Sequence, residues 1–161
     1  MNEKENIPQD VKPIQISTTI NAPVEKVWEA IIEPDLIRQW FVGVDTDKIE
    51  DGTSFQFVEL FGVEQVVHEA LVLELVENSI LRHTWTYPEL SQWSSTVNWD
   101  LESVNGQTKV IVTHEGIHHI AQDIPELTPL RVYNFWDRAL NKYLKVFVER
   151  NIQSEQSPPN F

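Results

Sequence analysis

His114-Glu115-Gly116-Ile117-His118 spells H-E-x-x-H. On a helix, that spacing sets two imidazoles on one face to hold zinc, with the glutamate between them as general base. Here the run leaves a β-branched stretch, Val110-Ile111-Val112, and Gly116 interrupts it. The expected conformation is extended, so the two imidazoles diverge, and no third ligand follows at a familiar spacing. No metal site is expected. His83 is the second candidate. It alternates with Leu81 and Trp85, so the three share one face of a strand. Facing inward, His83 would be a lone polar group in an apolar chamber, placed to orient a ligand's hydroxyl or carboxylate. On the plainer reading it is a core histidine satisfied by a backbone carbonyl or a water. Glu59, Glu64, Glu69 and Glu74 offer acid–base groups, but in so acidic a chain they read as solvated strand faces. There is no G-x-S-x-G elbow, no G-x-G-x-x-G and no G-K-[ST]. The expectation is a non-catalytic protein without a cofactor. A cyclase- or isomerase-like activity through His83 or His114 stands as an alternative.

The six tryptophans form the next group. Trp28, Trp40 and Trp136 fall at helical core spacing and read as packing residues. Trp85 and Trp99 lie on strand faces with apolar neighbours.

These side chains are positioned by elements that the pattern of residues makes plain. Ile14, Ile16, Thr18 and Ile20 alternate with polar residues, as in a half-buried strand. A helix follows, capped by Asn21 or Ala22, with Pro23 in its first turn and Val24, Val27, Trp28 and Ile31 on one face. Pro34 ends it, and a short second helix carries Leu36, Ile37 and Trp40. Strands are predicted at 54–58, 66–76, 80–87, 93–101 and 108–114, with Asn105-Gly106 as the strongest hairpin-turn signal. Successive strands with short links predict an antiparallel meander. From Thr128-Pro129 to about Arg150, Val132, Tyr133, Phe135, Trp136, Ala139, Leu140, Tyr143, Leu144, Val146 and Phe147 fall on one half of a helical cylinder. That helix should lie on the sheet. The predicted organisation is one domain over 14–151, between flexible tails at 1–13 and 152–161.

The chain has 161 residues, 41% of them hydrophobic and 23% charged, which suits one globular domain. A net charge of -13 argues against nucleic acid, whose phosphates need clustered Lys and Arg, and against anionic membrane surfaces. With no cysteine, disulfides and thiolate chemistry are excluded. The polar start Met1-Asn2-Glu3-Lys4-Glu5-Asn6 lacks an apolar signal core, and no apolar run approaches membrane-spanning length. The expectation is a cytoplasmic protein with no membrane insertion, as a monomer or homodimer.

The order strand, two helices, antiparallel strands, long helix resembles the α+β helix-grip (START/Bet v 1-like) fold, a curved sheet around a long C-terminal helix. Ala22-Pro23 with Val27-Trp28 and Trp40 is similar to the opening of the activator of heat-shock protein 90 ATPase homologue family, within the START-like (SRPBCC) superfamily. Asp51-Gly52 with Phe55, Leu81 with Thr84-Trp85, Val97 and Leu101, Gly106-x-Thr108, Thr113-His114-x-Gly116, and Trp136 with Leu140 and Leu144 resemble its further motifs in order. The resemblance spans roughly 14–150. Two positions depart from it: Asp51 replaces one glycine of a pair, and Phe135 stands where the family usually has Gly. A ring there should shrink or reshape any cavity. The resemblance implies an apolar pocket between sheet and long helix for a small apolar or aromatic molecule such as a lipid, hormone or polyketide. It also implies a chaperone as a candidate protein partner. Phe57, His83, Trp85, Trp99, Phe135 and Trp136 are the expected lining.

Overall fold

A computed structural model describes residues 11–61 and 63–156, with Leu60, Phe61 and Gln156 described in their backbone alone. Of the tails expected at 1–13 and 152–161, residues 1–10 and 157–161 lie outside the described residues, and 152–156 are helical.

Alternation sets the first strand, β1 (Ile14–Ile20), with Ile16, Thr18 and Ile20 buried. Pro23 occupies the N-cap of α1 (Val24–Ile32) in extended conformation, so neither Asn21 nor Ala22 takes that position. Val27, Trp28, Ala30 and Ile31 are its buried residues. After Glu33, Pro34 begins α2 (Pro34–Trp40), where a missing N–H costs nothing. The Trp40 indole N–H donates to the Ala30 carbonyl at 2.7 Å, which fixes the angle between the two helices.

Five strands follow: β2 (Ser54–Phe61), β3 (Glu64–Val76), β4 (Ile80–Thr86), β5 (Ser94–Val104) and β6 (Gln107–Glu115). The six strands form one antiparallel sheet in the order β1-β6-β5-β4-β3-β2. Asn105 and Gly106 turn β5 into β6 with φ of 52° and 81°, the double positive φ of a type I′ hairpin. Register then aligns particular residues across the sheet. Ile14, His114, Val97, His83 and Val72 stand in one row, and Trp99 faces both Leu81 and Val112.

After β6, Gly116 at φ 85° bends the chain into the one-turn helix α3 (Ile117–Ile120). Thr128 caps α4 (Pro129–Asp137), its hydroxyl accepting from the Arg131 N–H at 3.2 Å. A π-helical stretch, Arg138–Leu144, joins α4 to α5 (Lys145–Gln156). The helix therefore runs past Arg150. Its buried row is Val132, Trp136, Leu140, Leu144 and Val148, each four residues apart. In an ideal α-helix every such step overshoots by about 40°, and the row would wind off the sheet. The wider π turn holds more residues per turn and brings the row back. Tyr143 and Val146, expected on the buried half, are turned outward by this shift and exposed at 47% and 38%; Tyr133, also expected there, precedes the π stretch and is exposed at 46%. Among the described residues no helix is long and apolar enough to cross a membrane.

Candidate functional site

The inner face of the sheet carries three histidines among its aromatic rings. His83, on β4, is 6% exposed. Its Nδ1–H donates to the Thr84 carbonyl at 2.9 Å, and its Nε2 accepts from the Trp99 indole N–H at 3.0 Å. A ring that donates at one nitrogen and accepts at the other is neutral, with one tautomer fixed. Burial lowers its pKa to about 4, against a smaller opposite effect of the Thr84 bond. His83 is thus satisfied by the protein itself.

His114, on β6, is held the same way. Its Nδ1 accepts from the Trp136 indole N–H at 3.0 Å, which leaves its Nε2–H to donate to Ser95 Oγ at 2.8 Å. The Ser95 hydroxyl in turn donates to the Trp85 carbonyl at 2.6 Å. Burial, then the nearby His83 and His68, push the His114 pKa down to about 3. This chain ties the long helix, through Trp136, to three strands. Both histidines are held in one tautomer by their partners, and burial favours the neutral form of each.

The same geometry answers the H-E-x-x-H pattern. His114 is buried and committed at both nitrogens, whereas His118 lies on α3 beyond the left-handed Gly116. The His118 ring is tilted by 40° against that of His119, with centroids 4.0 Å apart. Among the described residues no group of three His, Asp or Glu side chains could hold a metal ion.

His68 was not among the residues singled out from the sequence. It lies on β3 with no exposure, between Val66 and Ala70, which also point inward. Its ring stacks on Phe57 at 4.8 Å and meets Trp85 at 5.0 Å and Tyr87 at 4.4 Å. Its Nε2 bonds Glu59 Oε2 at 2.7 Å, while its Nδ1 is buried without a partner. Glu59 is therefore not simply a solvated strand residue: its side chain is 25% exposed and anchored from beneath. The signal was present, since His68 interrupts an alternating apolar run, Val66-x-His68-x-Ala70-x-Val72.

Seven rings fill the middle of the space between sheet and helix. Trp85 packs edge-on against Trp136 (5.2 Å), Phe135 (5.8 Å) and Phe57 (5.1 Å). Phe41 stacks on Trp40 at 4.8 Å and reaches Phe135 and Trp136 at 6.0 and 5.9 Å. Trp99 closes on Trp136 at 5.5 Å. Edge-to-face contacts of this kind each contribute about 0.5–1.5 kcal/mol beyond burial. The apolar pocket expected between sheet and helix is divided into two small hollows, with Trp85 bordering both.

One hollow, about 30 Å³, is apolar and lined by Phe57, His83, Trp85 and Trp99 together with residues of α1, α2 and the chain after them. It has room for a water or two. The other, about 150 Å³, lies under the start of α4. Trp85, Phe135 and Trp136 form its aromatic side, and Glu59, Tyr87, Arg131 and Arg138 its polar side. Burial raises the Tyr87 hydroxyl pKa, so Tyr87 keeps its proton, and its oxygen accepts from the Trp85 indole N–H at 3.3 Å. All six residues expected to line a site thus border one hollow or the other. They do not border a common one, because the Phe135 ring lies against Trp85 and Phe41.

Comparison with known proteins agrees with this architecture. The model of the family described as Activator of Hsp90 ATPase homolog 1-like protein matches residues 21–149. No curated protein matches the chain. Protein CV1439 from Chromobacterium violaceum superposes with a TM-score of 0.71 at 19% identity, over 86% of this chain and 99% of its own. CalU16 from Micromonospora echinospora gives 0.62 at 22%, over 88% and 79%. DynU16, a protein of the dynemicin biosynthetic locus, gives 0.64 at 18%, and the match spans 90% of this chain but 48% of that one. At these identities the likeness is one of fold: a curved antiparallel sheet with a long C-terminal helix and two helices after the first strand.

Proposed function

The chain belongs to the Activator of Hsp90 ATPase homolog 1-like family, and from that premise we propose that it is a small-molecule binding protein without catalytic activity. Its ligand is a small aromatic or apolar molecule held between the sheet and the C-terminal helix. The observation that carries this reading is the hollow of about 150 Å³ under α4, walled by Trp85, Phe135 and Trp136. A cavity of about that size accommodates benzene in an engineered protein core. Phe57, His83, Trp85 and Trp99 border the adjoining apolar space, which a larger ligand reaches by displacing the Phe135 ring. The neutral, doubly bonded states of His83 and His114 favour binding over chemistry.

Native mass spectrometry of freshly purified protein, with tryptophan-fluorescence titration against single-ring and two-ring aromatics, tests the reading. Saturable one-to-one uptake with quenching supports it. No uptake, together with stimulation of a chaperone ATPase by the ligand-free protein, would replace it with the partner role that the family description names.

A further inference from the structure

The polar side of the larger hollow is more particular than binding an apolar ring requires. Glu59 presents a carboxylate there, held from below by His68 Nε2 at 2.7 Å. The His68 ring is itself immobilised by its stack on Phe57. Tyr87 contributes an O–H whose oxygen already accepts from Trp85, so its proton is the group turned to a partner. At the mouth stand the exposed Arg131 and Arg138, seven residues apart and so on one helix face. Arg131 already has an interaction within the protein. Arg138 sits where α4 passes into the π-helical stretch. Two guanidinium groups at one opening form a local cationic rim on a protein of net charge -13.

We infer that this hollow takes a single-ring aromatic acid bearing a hydroxyl group. The inference rests on the binding role proposed above and names the ligand class for that site. The ring lies against Trp85, Phe135 and Trp136. The ligand's hydroxyl donates to Glu59, a hydrogen-bond acceptor fixed by His68, and accepts from Tyr87. The ligand's carboxylate points outward to the Arg138 guanidinium, with Arg131 beside it. Each group is matched by opposite polarity at the depth where it is needed: acceptor and donor inside, cations at the rim. A plain hydrocarbon ring would leave the Glu59 carboxylate facing an apolar surface, and a plain aromatic acid would leave it without a donor.

Isothermal titration at low ionic strength with 4-hydroxybenzoate, phenol, benzoate and toluene separates the possibilities. The expected order places 4-hydroxybenzoate about tenfold or more tighter than phenol and than benzoate, since a charged hydrogen bond distinguishes each pair. Arg138→Gln should remove the advantage over phenol, and Glu59→Gln the advantage over benzoate. The amide of Glu59→Gln can still accept from His68, so the fold is retained, and circular dichroism verifies this. Toluene binding as tightly as 4-hydroxybenzoate overturns the ligand class and leaves the binding role intact. Failure of all four compounds to bind at millimolar concentration removes both.

Discussion

Acid should unfold this protein through His83 and His114. In the unfolded chain each titrates near 6.5, and in the fold burial lowers them to about 4 and about 3. Between those limits the unfolded state binds more protons than the native state, so stability is full above pH 6.5 and falls as the pH drops. At pH 5 an unfolded histidine is almost fully protonated, while the folded pair is nearly neutral. Each group then contributes about 2 kcal/mol of lost stability relative to pH 7.5, or about 4 kcal/mol for the two. That is a large part of a typical net stability of about 5–15 kcal/mol. Urea unfolding followed by tryptophan fluorescence from pH 7.5 to 5 measures it. For a slope of about 2 kcal/mol per M, each group moves the midpoint by about 1 M. His114→Gln removes one titrating group, so the stability gap between native protein and variant should narrow by about 2 kcal/mol on going from pH 7.5 to 5. A gap that stays constant across this range would mean that His114 titrates alike in both states, and the buried, neutral imidazole described here would be wrong.

Three further perturbations follow from the same contacts. Ser95→Ala strands the His114 Nε2–H and takes a donor from the Trp85 carbonyl, so thermal or urea melts should show a loss of about 1–3 kcal/mol. Phe135→Ala removes a half-buried ring between Trp85 and Phe41, at a cost of about 2 kcal/mol against the 3–5 typical of a fully buried Phe. Native mass spectrometry should then show tighter uptake of two-ring aromatics, which no longer have to displace that ring, and an unchanged size preference would contradict the dividing role given to Phe135. Zinc-loaded protein after equilibrium dialysis should carry no stoichiometric metal, and His118→Ala should change neither metal content nor melting temperature. A full equivalent of zinc, lost in that variant, would restore the H-E-x-x-H reading.

Local patterns specified most of the fold. Ile14 to Ile20, the Ala22-Pro23 entry to α1, Pro34 and Asn105-Gly106 each encode one conformation through short-range sterics. Tertiary spacing was harder to read. The four-residue row Val132, Trp136, Leu140, Leu144, Val148 needs a π stretch, and a fixed 100° per residue instead spreads the apolar face to Tyr133, Tyr143 and Val146. The inward set Leu81, His83 and Trp85 was legible from alternation. Which partners satisfy His83 depends on Trp99, sixteen residues away across a strand pair, and periodicity carries no such information. His68 and Glu59 meet only through the β2–β3 register, so the acidic character of Glu59 alone suggested solvent. The departure at Phe135 was visible and its consequence followed: the space beneath the helix is divided.

The indole N–H resonances of Trp85 and Trp136 report directly on the hollow beneath α4. Titrating 15N-labelled protein with a single-ring aromatic should shift these two signals saturably at one-to-one stoichiometry, leaving those of Trp28 and Trp93, which do not line that hollow, in place. If the Trp85 and Trp136 signals stay fixed to millimolar ligand, or all six indoles drift together without saturating, no molecule occupies the space between sheet and helix and the binding role fails.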